Sequence, residues 1–204
     1  MIRFYLAIIL TVMVSVSASA CKDKNSDTSV ILGVRAVDGD SLETDKRRIR
    51  LEGIDAPEYK QPCWDENGQE YRCGIESLEY LKSLMKNRKI SCQCEAEKDR
   101  YKRELCVCFA DNLELNKQMV LAGYAVDYRS QKYAGAEKTA RESQSGIWRG
   151  KFMRPSLYRS LERDKEQKWC KANPAECKAR KKQKKIRQKM FRKKHRSGKT
   201  DKNL

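Results

Sequence analysis

Two acidic turns flank one short apolar run in the segment DGDSLETDKRRIRLEGIDAPE, residues 38–58. If VRAVDGDSLET and RRIRLEGIDAPE lie side by side as strands, Asp40 and Asp55 converge. Paired carboxylates with a backbone carbonyl, here that of Ala56, suit a hard divalent cation, which takes oxygen ligands. Pro57 biases Ala56 toward an extended conformation, and Glu58 just beyond it is placed to position or deprotonate a water. The same spacing also fits two ordinary polar turns, because Asp-Gly and Asp-Ala-Pro are common turn sequences.

Arginines bear on that choice. Arg50 sits inside the run, with the opposite parity from Ile49 and Leu51. A second polar turn, EKDRYKREL, brings Arg100, Tyr101 and Arg103 together. Guanidinium groups match phosphate oxygens in bidentate geometry, which lysine does less specifically. The only histidine, His195, lies in a basic C-terminal stretch. That excludes a histidine triad or a multi-histidine zinc site in the body of the chain. Catalysis there must use carboxylates, arginines, tyrosines or cysteines.

The elements that would carry these groups follow from periodicity. VILGVRAVDGDSLET alternates and holds two turn signals, Gly33 and Asp38-Gly39. RRIRLEGI follows as a strand. Ile75, Leu78, Leu81, Leu84 and Met85 fall at helical spacing. RKISCQCEAEKDRYKRELCVCFADN reads as a strand, a long turn and a strand. Leu113 to Ala122 predicts a helix closed by Gly123, and Ala134 to Ser145 another stopped by Gly146. Short strands with interspersed helices imply one α+β domain over residues 30–155, enough chain for a single core.

In order, VRAVDGDS, RIRLEGIDAPE, DRYKREL, LELNKQMVLAGYAVDY and GIWRGKF resemble the motifs of the staphylococcal nuclease-like (thermonuclease) family, especially its exported bacterial members. The resemblance covers residues 30–155. It implies a five-stranded OB-type barrel with about three packed helices, and Ca²⁺-dependent hydrolysis of DNA or RNA to 3′-phosphates and 5′-hydroxyls. By motif match, Asp40, Asp55 and the Ala56 carbonyl would hold Ca²⁺, with Asp38 supporting them from behind. Glu58 would be the general base, and Arg50 and Arg103 would neutralise the phosphate. Tyr101 matches a position beside the bound nucleotide, and Tyr128 and Tyr133 are candidates for the same role. Ser41 stands where threonine is commoner. Lys102 stands where the family has glycine, so it could alter the loop or add a phosphate contact. The alternative of another class is a non-catalytic nucleic-acid-binding OB module. A third reading is a surface protein whose basic end binds envelope polymers.

The two ends differ from the body. Arg3, an apolar run and SASAC form a secretory-signal pattern over residues 1–20. Cleavage before Cys21 leaves either a soluble exported protein, periplasmic or secreted, or one lipid-anchored through Cys21. Residues 21–29 read as a polar linker. The chain has 204 residues, a formal charge of +17 and nine cysteines. An exported chain favours disulfides over thiolate metal sites. Lipidation of Cys21 would leave eight to pair: Cys63 with Cys73, Cys92 with Cys108, Cys94 with Cys106, and Cys170 with Cys177. The middle two pairs follow from a hairpin centred near Arg100. Zinc is the rival, but no C-x₂-C pair exists. Residues 156–204 form a charged extension, helical or partly disordered. From Lys178 to Leu204 it carries 14 Lys and Arg against the single Asp201. Such a tail attracts nucleic acid in a salt-dependent way, with an anionic membrane or envelope surface as the rival partner. A monomer is expected, and no obligate protein partner is inferred.

Overall fold

The computed structural model describes residues 29–197. The expected signal segment, Cys21 and the linker up to residue 28 lie outside the described residues, as does the end of the tail from residue 198.

The main sheet contains β1 (Ser29–Val30), β2 (Arg35–Asp38), β3 (Ser41–Glu43) and β4 (Arg48–Leu51). A short strand, β5 (Ile54–Asp55), follows outside it, and then β6 (Pro62–Trp64) and β7 (Glu70–Arg72) form a separate hairpin. Helix α1 (Cys73–Met85) precedes the long hairpin of β8 (Ile90–Lys98) and β9 (Glu104–Ala110). The sheet order is β1-β8-β9-β4-β3-β2, with β10 (Leu113–Glu114) added to β9. Among the described residues, the β4–β9 pairing alone is parallel. The sheet curls into a half-barrel, consistent with an OB-like fold, whose terminal strands β1 and β2 do not pair with each other.

The alternation in β4 explains how one strand serves both core and site. Ile49 and Leu51 are fully buried, while Arg50 projects from the other face, as period-two geometry requires. Leu42, Ile54, Leu81, Leu115, Met119 and Val120 complete the centre of the core. Two further helices, α2 (Leu115–Leu121) and α3 (Ala134–Glu142), pack on the barrel with α1. Both are shorter than their periodicity predicts. Leu113 and Glu114 pair with Ala110 and Phe109 because the chain reverses at Asp111, whose φ is 54°. Gln144, at φ 51°, ends α3 before Ser145.

Between α2 and α3, β11 (Val126–Asp127) pairs with β5, placing Val126 opposite Asp55. After α3, β12 (Lys151–Phe152) joins β6. The charged extension is helical through the described residues, as α4 (Pro155–Ala172) and α5 (Pro174–Ser197). Pro155 starts α4, where a missing N–H costs nothing. Among the described residues, no helix is long and apolar enough to cross a membrane.

Among the described residues, four disulfides join Cys63 to Cys73, Cys92 to Cys108, Cys94 to Cys106, and Cys170 to Cys177. Cys92 faces Cys108 and Cys94 faces Cys106 across the β8–β9 ladder. Such a set of cross-links belongs to a chain matured in an oxidising compartment.

Candidate active site

The site begins at the β2–β3 turn. Asp38 turns its Oδ1 back to accept the Asp40 N–H at 3.1 Å, which fixes the turn. Gly39 lets this turn lie against the next layer. A Cβ there would fall 2.7 Å from the Ala56 Cβ and 1.9 Å from Ser77 Oγ. That close approach brings Asp40 to the segment after β5, where its Oδ2 accepts the Ala56 N–H at 2.8 Å. Its Oδ1 takes the Ser41 hydroxyl at 3.1 Å and meets Arg50 Nη1. Serine in place of threonine therefore keeps a hydroxyl on this carboxylate.

Arg50 ties the two acidic turns together. Besides Asp40, it donates from Nη2 to Asp55 Oδ1 at 2.9 Å and to the Ile54 carbonyl at 3.1 Å. Asp55 is wholly buried and Asp40 is 3% exposed. Burial lowers the Arg50 pKa, Asp55 pulls against that shift, and the Arg103 guanidinium adds to it. Arg50 and Arg103 thus sense one another although they come from different elements.

Glu58 sits beyond the Ala56-Pro57 corner with its side chain 42% exposed. Its backbone is held by a residue that the sequence did not flag. Gln61 is fully buried, accepts the Glu58 N–H on Oε1 at 3.3 Å, and donates from Nε2 to the Met153 carbonyl at 2.6 Å. Helix α1 closes on the same backbone, and a Cβ on Gly74 would lie 2.0 Å from the Glu58 carbonyl oxygen.

The second arginine is on the β8–β9 loop. Asp99 Oδ1 accepts the N–H groups of Tyr101 and Arg103 at 2.8 and 2.9 Å, and its Oδ2 takes Arg103 Nε at 2.8 Å. Burial would raise the Asp99 pKa, but these bonds from Arg103 and Tyr101 outweigh it and hold the carboxyl below its ordinary value. Lys102, at φ 62°, adopts the left-handed conformation where the family has glycine. Tyr101 is exposed, with Arg100 and Arg103 5.0 and 5.3 Å from its ring centre.

Asp38, Asp40, Arg50, Asp55, Ala56 and Glu58 are brought together at one end of the half-barrel. Arg103 and Tyr101 stand on the neighbouring loop. Tyr128 is half-buried, with Arg129 4.9 Å from its ring centre. Tyr133 is not presented to solvent. It is 4% exposed, lies against Gly53, and donates its hydroxyl to Glu114 at 2.6 Å. Burial, then Glu114, raises its pKa strongly.

One site residue escaped the sequence reading altogether. Arg159, on the second turn of α4, donates from Nη1 to Asp55 Oδ1 at 2.9 Å and from Nη2 to Asp55 Oδ2 at 3.0 Å. The same Nη1 reaches Glu58 Oε1 at 3.0 Å. Burial opposes its charge, but Asp55 and then Glu58 more than offset that, so its pKa is raised. It lies in the stretch read as tail, and Pro155 was the local signal that an ordered helix starts there.

The donor set fits a hard cation. Two buried carboxylates share contacts with one guanidinium, so their oxygens already gather around a single positive centre. A different trio, Cys94, Glu104 and Cys106, has ligand-type atoms within 4.8 Å of one another. It does not fit a metal, because the two cysteines form a disulfide and Arg47 and Lys98 take the carboxylate.

Residues 48–150 match a family described as "Staphylococcal nuclease homologue". That stretch holds Arg50, Asp55, Glu58 and Arg103, while Asp40 precedes it and Arg159 follows it. The chain is 37% identical over 132 residues to "Succinoglycan biosynthesis protein ExoI" of Rhizobium meliloti (strain 1021), covering 62% of this chain and 69% of that one. It is 30% identical over 155 residues to an "Uncharacterized endonuclease" of Haemophilus influenzae, covering 71% and 79%. A protein of the same description from Escherichia coli O157:H7 is 35% identical over 124 residues, covering 56% and 74%.

Proposed function

The chain belongs to the staphylococcal nuclease homologue family, and on that premise we propose that it is an exported, Ca²⁺-dependent endonuclease. It hydrolyses phosphodiester bonds of DNA or RNA and leaves 3′-phosphates. The observation that carries this reading is the convergence of Asp40 and Asp55 on Arg50, from two turns 15 residues apart in the chain, with Glu58 joined to Asp55 through Arg159.

Asp40, Asp55 and the Ala56 carbonyl would hold the cation, which when bound polarises a phosphoryl oxygen. Arg50 stays in register because Asp40, Asp55 and the Ile54 carbonyl all anchor it. It presents one guanidinium to the phosphate, and Arg103 presents a second from the β8–β9 loop. Both spread the negative charge that grows on the phosphoryl oxygens in the transition state, a preorganised stabilisation that is often the largest catalytic contribution. Glu58, steadied through Gln61, takes the proton of the attacking water. The new P–O bond forms as the P–O5′ bond breaks, and the departing 5′ oxygen takes a proton from solvent water to become the hydroxyl. Tyr101 offers an exposed ring for stacking on a neighbouring base.

Helix α5 supplies the charge that the body lacks. Its Lys and Arg residues attract polyanions over distances of about a Debye length, and membership of a nuclease family makes nucleic acid rather than an anionic membrane surface the partner proposed for it. The chain acts as a monomer.

Digestion of plasmid DNA and of RNA with Ca²⁺, and again with chelator, tests the reading on wild type and Glu58→Ala. Cleavage should need Ca²⁺ and fall by about 10²–10⁴-fold in the variant. Cleavage in chelator, or a fully active variant, would overturn the mechanism. Binding without any cleavage would favour the non-catalytic OB module.

A further inference from the structure

Arg159 stands outside the family match, and its contacts bear on the cation. Both oxygens of Asp55 accept from it, and Asp55 Oδ1 also accepts from Arg50. Its Nη1 bridges Asp55 and Glu58, so one fork spans an expected metal ligand and the expected general base. Arg50 and Arg159 together take three of the roughly four lone pairs of Asp55, so a divalent cation there meets a carboxylate already largely occupied. It would also face a like charge at hydrogen-bonding distance, in a region where Asp55 is sealed from water.

Among the described residues, the arginine is also one of the few side chains of α4 with a hydrogen bond to the body. Pro155 is buried and Tyr158 donates to the Lys60 carbonyl at 3.4 Å, but residues 161–168 are exposed throughout. Arg154, just before the helix, reaches Glu137 Oε1 at 2.6 Å and anchors its entry. Past that anchor, the Arg159 fork holds the second turn of α4 over the carboxylates.

We infer that Arg159 is an internal counter-cation of this site, competing with the divalent cation for Asp55 and Glu58, so that cation binding unlatches α4. The inference rests on the metal-dependent reading above. It makes Arg159 a positioning residue. While latched, it keeps Glu58 neutralised and idle. Once displaced, it frees Glu58 to act on water and opens the mouth of the site under α4.

The test uses the full chain, stripped of metal and titrated with CaCl₂ by calorimetry, as wild type, Arg159→Gln and Arg159→Lys. Arg159→Gln should bind Ca²⁺ at least tenfold more tightly. Arg159→Lys, which keeps the charge but loses the two-pronged geometry, should fall between. Hydrogen exchange in wild type should accelerate at the backbone amides of residues 158–165 when Ca²⁺ is added. A purely structural role would lower the melting temperature of Arg159→Gln and leave the Ca²⁺ affinity alone. Equal affinity in all three proteins, or unchanged exchange in α4, overturns the inference while leaving the nuclease reading intact. Failure of every variant to bind Ca²⁺ overturns the metal-dependent reading itself, and the inference with it.

Discussion

Replacing Lys102 by glycine should stabilise the protein and leave the chemistry in place. The loop between β8 and β9 is closed by Asp99 N–H to the Arg103 carbonyl at 2.9 Å and by Lys102 N–H to the Asp99 carbonyl at 2.8 Å. That is a turn followed by one left-handed residue, the position at which three-residue hairpin loops favour glycine. Lys102 occupies it at φ 62°, at a cost of about 1–2 kcal/mol for an L-residue. Glycine removes that cost but has more freedom to lose on folding, about 0.5–1 kcal/mol. The net gain is about 0–1.5 kcal/mol, which for a domain of this size raises Tm by up to about 6 °C. Differential scanning fluorimetry reads the shift. Arg103 should remain in place, because Asp99 holds its N–H and its Nε independently of residue 102. Nuclease rate at saturating substrate should therefore stay within about twofold, well under 1 kcal/mol. If Lys102 also contacts phosphate, the slope of log affinity against log salt should fall by about one. A lowered Tm would refute the assignment of strain to Lys102. An unchanged slope would leave the lysine as a conformational departure alone.

The two hairpin disulfides should behave as nested cross-links. Cys92–Cys108, with a sequence separation of 16, encloses Cys94–Cys106, with a separation of 12. Chain entropy assigns about 3 kcal/mol to either bridge alone, but only about 2 kcal/mol to the second once the first is closed. Replacing either pair by alanine should cost about 2 kcal/mol and replacing both about 5, a coupling of about 1 kcal/mol in urea unfolding. Strict additivity would contradict the nested account. Truncation after Cys177 keeps the bridge to Cys170 and removes the 14 Lys and Arg of the tail. DNA affinity at low salt should weaken and the salt slope should drop by several units, at about 0.9 for each phosphate that is no longer neutralised. Single-turnover cleavage of bound substrate should not change, and an unchanged slope would remove the tail from substrate binding.

Much of this molecule is readable from local pattern. Alternation places Ile49 and Leu51 inward and Arg50 outward whatever else the chain does, because strand geometry has a period of two. A hairpin centred near Arg100 requires Cys92 opposite Cys108 and Cys94 opposite Cys106, and the ladder has that register. The acidic turns, the arginine turn and their order along the chain were enough to indicate the family. Helix ends were less legible. Asp111 and Gln144 take left-handed conformations, which aspartate tolerates and glutamine does not announce, and each shortens an expected helix.

Tertiary structure decided what no spacing could. Residues 156–172 read as the start of a charged tail, helical or partly disordered, because their charge is nearly continuous, and composition does not say where one side chain points. Folding back from β12, α4 sets Arg159 on Asp55 and Glu58, which lie 104 and 101 residues earlier. Gln61 and Tyr133 carry the same lesson in opposite senses. A polar glutamine next to an exposed lysine is wholly buried because the Glu58 N–H and the Met153 carbonyl both need a partner. A tyrosine that resembled a substrate contact turns inward because Glu114 accepts its hydroxyl. Residue type and backbone period alone single out the candidate carboxylates and arginines and the strand face that bears them. Which of those groups meet, and which are already held by a distant partner, depended on long-range packing that brings far segments within hydrogen-bonding distance.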